Sequence, residues 1–102
     1  MAYKIIISQT AEESYFNNLD FLYKHWTLKE VENFIKKTEE VKIILEEQAF
    51  AFRVWEHDKT IRMVPIVEQV TLFYSVHSNF IEFLLFWNNS QDPEKLFDLL
   101  QS

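Results

Sequence analysis

The chain of 102 residues contains no cysteine and no glycine, and only two prolines. Without cysteine there is no disulfide and no thiolate metal site. Without glycine there is no phosphate-cradling loop of the dinucleotide or Walker type, because such loops need a backbone approach that a Cβ blocks. Turns must be built from Asn, Asp, Ser and Gln, and Asn18, Asn79, Asn88 and Asn89 are the expected positive-φ positions. Basic residues are scarce as well: 10 Lys and Arg stand against 16 Asp and Glu, for a net charge of −6. Non-specific nucleic-acid binders gain affinity by neutralising phosphates with cations, so free DNA or RNA binding would need a local basic patch. No apolar run is long enough to span a bilayer. No signal peptide is visible, since the isoleucines after Lys4 give way at once to polar residues. The expected location is the cytoplasm.

Apolar and aromatic side chains are abundant, at 48% and 17% of the chain. That supports one packed domain over residues 1–102 and argues against intrinsic disorder. It also leaves rings over for a surface that a partner covers. The organising stretch is residues 62–93, which holds three alternating runs. Val64 and Ile66 share a face of the first, and Leu72, Tyr74 and Val76 a face of the second. Ile81, Phe83, Leu85 and Trp87 share a face of the third. The polar breaks at 67–69 and 77–79 are short enough for hairpins. The expectation is an antiparallel meander with one apolar face, covered by another layer.

The earlier chain supplies that layer. Residues 3–8 are isoleucine-rich and read as a strand. Thr10-Ala11-Glu12-Glu13 has the form of a capping box, opening a helix with Ala11, Tyr15, Leu19, Leu22 and Trp26 turned to the core. Thr27-Leu28-Lys29-Glu30 is a second box, opening a helix striped with Val31, Phe34, Ile35, Thr38, Val41 and Leu45. Boxes so close together predict an antiparallel helical hairpin. Residues 49–56 read as a strand with Phe50, Phe52 and Val54 on one face, and 57–60 as a polar turn. Asp92 and Pro93 begin a closing helix that carries Leu96, Phe97, Leu99 and Leu100. The predicted order is β-α-α-β-β-β-β-α. It describes an α+β fold with a helical hairpin packed on a twisted, mostly antiparallel sheet.

In this order the chain resembles the RelE/ParE superfamily, the toxins of bacterial type II toxin–antitoxin (plasmid stabilisation) modules. The resemblance covers nearly the whole chain. It is carried by Ser8-Gln9-Thr10-Ala11 after the first strand, by Trp26-Thr27 and Asn33-Phe34-Ile35 in the hairpin, and by the Arg in Ile61-Arg62-Met63-Val64. Leu72-Phe73-Tyr74-Ser75-Val76, Trp87 and Gln91-Asp92-Pro93-Glu94-Lys95-Leu96 complete it. The resemblance implies a growth-inhibiting toxin held inactive by a cognate antitoxin whose C-terminal segment folds onto it. ParE-like members poison DNA gyrase, and RelE-like members cleave messenger RNA on the ribosome. One departure bears on activity. Many relatives carry Asp-Thr-Arg where this chain has Asn88-Asn89-Ser90. A non-toxic interaction domain of the same fold is therefore a third reading.

RNA cleavage by attack of the 2′-hydroxyl needs a base, an acid and a cation for the phosphorane-like transition state. The candidate cations are Arg62, Arg53 and Lys59, and the candidates for proton transfer are His57, His77 and Tyr74. Arg62 and Arg53 lie in adjacent strand runs and are the expected catalytic pair if the chain is a nuclease. The bland alternative for Arg62 is a pairing that holds a strand edge, and Tyr74 fits the core. Trp55 alternates out of phase with Val54 and is, with Arg62, the expected partner contact. Trp26 and Trp87 fit core stripes. No histidine pair has metal-ligand spacing, and no cofactor is expected. The acidic balance favours the gyrase-directed subtype over the nuclease.

Overall fold

A computed structural model describes residues 2–101. Eight elements follow in the predicted order: β1 (Lys4–Ile7), α1 (Gln9–His25), α2 (Leu28–Glu47), β2 (Val54–Trp55), β3 (Asp58–Val67), β4 (Val70–Val76), β5 (Phe80–Asn88) and α3 (Pro93–Gln101). The five strands form one sheet in the order β1-β5-β4-β3-β2, antiparallel except for the parallel pair β1–β5. No described helix is long and apolar enough to cross a membrane.

The helix starts show which local signals win. Ser8, not Thr10, caps α1, and its hydroxyl accepts from the Ala11 amide at 3.0 Å. The chain leaves β1 at Ile7, so the first free residue takes the cap before Thr10 can. Thr27 does open α2, but its hydroxyl donates to the Glu30 carboxylate instead of accepting from the backbone. Asp92 opens α3 as expected, with Oδ1 accepting from the Glu94 amide at 3.0 Å. None of the described residues has a positive φ, so the asparagines expected there are not used that way. Asn18 lies inside α1, and the Glu68-Gln69 turn is accompanied by a register shift in β3 between Pro65 and Val67. Such a bulge adds local twist that a two-residue turn without positive φ does not supply.

The meander does not have a single apolar face. Phe73 pairs with Leu85 but Tyr74 pairs with Phe83, which leaves Leu84 as a bulge in β5. A bulged residue reverses the alternation of everything beyond it. Ile81, Phe83 and Phe86 therefore pack under the helical hairpin with Leu72, Tyr74, Phe34 and Leu45. Leu85 and Trp87, expected beside Ile81 and Phe83, turn to the opposite face. There they join Trp55, Ile61 and Phe73 beneath Leu96 of α3. The sheet is thus sandwiched, with the hairpin on one face and α3 on the other.

The bulge is held from α1. β1 ends at Ile7, opposite Phe83, and beyond it the edge of β5 has no strand neighbour. Buried amides and carbonyls need partners, and α1 provides them. The Phe86 amide donates to Ser14 Oγ at 2.9 Å, and its carbonyl accepts from Asn18 Nδ2 at 2.9 Å. Ser14→Ala strands the Phe86 amide, and we expect a loss of about 1–3 kcal/mol. A urea titration checks this, and an unchanged midpoint would show that the helix does not anchor the bulge.

Candidate functional site

Arg62 sits on the hairpin face of β3, opposite Tyr74 in β4 and beside Val54 in β2. Only Val54 and Trp55 of the expected strand 49–56 pair with β3. The preceding residues form an irregular strap instead, tied down by its carbonyl groups. Arg62 Nη1 donates to the Phe52 carbonyl at 2.6 Å, and Tyr74 Oη donates to the Ala49 carbonyl at 3.3 Å. The guanidinium lies 4.9 Å from the centre of the Phe50 ring, a stacking that suits a planar, weakly hydrated cation. None of the ion pairs found among the described residues involves Arg62. The result is a half-buried positive charge flanked by exposed apolar groups, with Phe50 60% and Val54 40% accessible.

Tyr74 is fully buried. Burial pushes its phenol up to about 12, against a smaller downward pull from Arg62 and from a backbone hydrogen bond at Phe52. The folded protein holds this proton more tightly than the unfolded chain does. The corresponding stability is intact below pH 10 and is lost as pH rises from 10 towards 12. A loss on the order of 2 kcal/mol across that window is expected. Tyr74→Phe should flatten most of it, as measured by denaturant unfolding at pH 9 and pH 12. An equally steep loss in that variant would assign the effect to other groups.

The other candidates do not gather around Arg62. Arg53 is exposed and lines a small cleft with Trp55, Glu56 and Met63, to which Arg62 does not contribute. Its carbonyl accepts from the Met63 amide at 3.0 Å. Lys59 is exposed on the β2–β3 hairpin. His57 packs on Phe97 of α3 at 4.6 Å and on Trp55 at 5.1 Å, and pairs with Glu56 at 3.4 Å. His77 stacks on Phe80 at the β4–β5 turn, 3.3 Å from Glu82. Tyr74 alone of the proton-transfer candidates adjoins Arg62, and its hydroxyl is engaged by Ala49.

The tryptophans exchange their expected roles. Trp55 is only 4% exposed and packs edge-on against Phe73, with Phe97 closing over it. A ring enclosed by β4 and α3 is a core residue, not a surface anchor. Trp26 is 48% exposed, because α1 ends at His25 before the core stripe reaches it. Trp87 is buried as expected, although on the α3 face.

Ser90 lies in the turn between β5 and α3, and both its amide and hydroxyl donate to Asn88 Oδ1, at 2.9 and 2.7 Å. No cluster of three or more His, Asp or Glu side chains that could hold a metal occurs among the described residues. Sequence reasoning missed Ser14 and Asn18. The signal was present: Asn18 falls between Tyr15 and Leu22 in the apolar stripe of α1, where a polar side chain must bond to something buried.

No protein-family model and no curated protein matches the chain. Among solved structures, it is similar to the YoeB dimer from Staphylococcus aureus, with a TM-score of 0.58 at 14% sequence identity. The match covers 84% of this chain and 95% of that one. The fold is RelE-like. At such low identity the likeness establishes the arrangement of helices and strands, and the chemistry has to be argued from the residues in place.

Proposed function

We propose that the chain is the toxin of a type II toxin–antitoxin module, inhibiting growth until a cognate antitoxin binds it. The observation that carries this reading is the RelE-like fold shared with YoeB, a toxin of the RelE/ParE superfamily, over most of both chains. It is joined by Arg62, a cation with no carboxylate partner among the described residues, at an exposed apolar edge. Phe50, Val54 and the Arg62 guanidinium offer an antitoxin segment a mixed apolar and cationic footing.

Within that class the gyrase-directed mechanism is preferred over ribosome-dependent endoribonuclease activity. The cleft that Arg53 lines does not include Arg62, and the proton-transfer candidate beside Arg62, Tyr74, has a buried, hydrogen-bonded hydroxyl. A protein that acts by binding needs no general base. The test is mapping of transcript ends and of DNA breaks after induction. Breaks without new transcript ends are expected. New codon-phased transcript ends would select the nuclease, with Arg62 as its cation.

The third reading, a non-toxic interaction domain, is favoured by Ser90. Its donors are spent on Asn88, so the turn closes on itself and presents no cation. If that loss silences the domain, Ser90→Arg should confer growth arrest on a chain that lacks it. A stable, soluble Ser90→Arg protein without effect would remove this explanation.

A further inference from the structure

The two edges of the sheet are not alike. At the β2 end, the outer side of β3 is closed. The Met63 amide donates to the Arg53 carbonyl, and Pro65, which faces the same way, has no amide to offer. At the other end, β1 has β5 on one side and no strand on the other. The Ser8 amide donates to the Phe83 carbonyl, so by the two-residue period of a strand Ile6 also faces β5. Ile5 and Ile7 then turn their amides and carbonyls outwards. The Tyr3 amide, outward as well, is taken by the Glu46 carbonyl of α2. Nothing among the described residues pairs with the outward groups of Ile5 and Ile7.

This edge is also apolar. Ile6 is 41% and Ile7 43% exposed, and neither belongs to a core cluster. Ile7 lines a cleft of about 290 Å³ with Tyr15 and Phe16. Phe16 is itself 59% exposed, so the apolar surface runs from the strand onto α1. Edges that stay unpaired are guarded by charge, proline or a covering loop, and β1 has Lys4 alone.

We infer that β1 pairs antiparallel with β1 of a second copy of this chain. The free window is short, bounded by Glu46 at Tyr3 and by the start of α1 after Ser8. One register uses all of it on both copies. Ile5 stands opposite Ile7 of the second copy, Ile7 opposite Ile5, and a two-fold axis passes between the two Ile6 residues. Centring the axis on Ile5 would set Ile7 against the occupied Tyr3, and centring it on Ile7 would set Ile5 against Gln9 in α1. With the axis at Ile6, the two Ile6 side chains meet at a non-hydrogen-bonded position, where cross-strand side chains approach most closely. Lys4 falls opposite Ser8, so no like charges face each other along the seam. This match of the edge to itself selects a second copy over an unrelated strand. The seam is short and each copy carries a net charge of −6, so the association is weak and salt strengthens it. The inference does not depend on the toxin reading.

Sedimentation equilibrium of the full chain tests this. A dimer with a dissociation constant of about 10–100 μM is expected, tightening at least about twofold between roughly 50 and 500 mM NaCl. Ile6→Lys and Ile6→Glu each place like charges on the axis and should weaken dimerisation at least about fivefold. An equimolar mixture of the two variants places opposite charges there and should dimerise again at about native strength. Leu28→Lys, at an exposed position that begins α2, should change the constant less than about twofold. Circular dichroism confirms that the variants are folded before they are compared. Hydrogen exchange needs no variant: the Ile5 and Ile7 amides should exchange more slowly as the protein concentration rises. Four results overturn the proposal. They are a monomer at about 500 μM, a mixture no stronger than either Ile6 variant alone, equal weakening by Leu28→Lys, and exchange at Ile5 and Ile7 that ignores concentration.

Discussion

Phe34→Ala is expected to lower the unfolding free energy by about 3–5 kcal/mol. Phe34 is completely buried, and its ring lies 5.1 Å from Tyr15 of α1 and 5.9 Å from Phe86 of β5. Tyr15 and Phe86 are themselves 5.2 Å apart, and Phe86 is 6.0 Å from Phe83. This aromatic cluster joins both helices of the hairpin to the strand that carries the bulge. Removing its middle ring leaves a void that the three surrounding elements cannot close together. A domain of this size is typically stable by about 5–15 kcal/mol, so from about a fifth of the total to nearly all of it is at stake. Urea denaturation measures it. A loss below about 1 kcal/mol would mean that the hairpin is not held to the sheet through these rings.

The second large effect is at Arg62. Arg62→Ala is expected to abolish growth arrest, and not as a silent surface change. It removes the charged donor from the Phe52 carbonyl and the stacking partner from Phe50, a loss of about 1.5–3 kcal/mol in stability. Loss of activity alone would therefore not separate a contact with the target from a loosened strap. Tyr74→Phe supplies the separation. It releases the same strap at Ala49 while leaving the guanidinium in place. We expect Tyr74→Phe to retain arrest and Arg62→Ala to lose it, both being folded at the assay temperature. Arrest lost equally in both would reduce Arg62 to a structural residue.

The sequence carried the order of elements because its strongest signals are local. Thr27 and Asp92 open their helices where their spacing to the apolar stripes says they should. The bulge at Leu84 was hidden by composition. Residues 83–87 are apolar in both phases, so alternation does not say where the strand changes face. A sheet covered on both sides reads in sequence much like a sheet covered on one, so the position of Trp55, out of phase with Val54, reads as surface although α3 covers it. The strap at 49–53 was equally opaque. Its alternating phenylalanines satisfy a strand pattern, but its carbonyls are taken by Arg62 and Tyr74 side chains, contacts across 10 and 25 residues. Arg62 was legible as a residue of interest through family resemblance, whereas its engagement with Phe50 and Phe52 was not. The hold of Asn18 on the Phe86 carbonyl was legible only in part, as a polar residue out of place in an apolar stripe.

The most direct test of the account is growth after tightly controlled induction in a bacterial host, with and without any short open reading frame found adjacent to the gene. The account predicts arrest on induction and rescue when the neighbouring product is co-expressed. Continued growth with the protein confirmed soluble, both for the natural chain and for Ser90→Arg, would contradict the toxin reading.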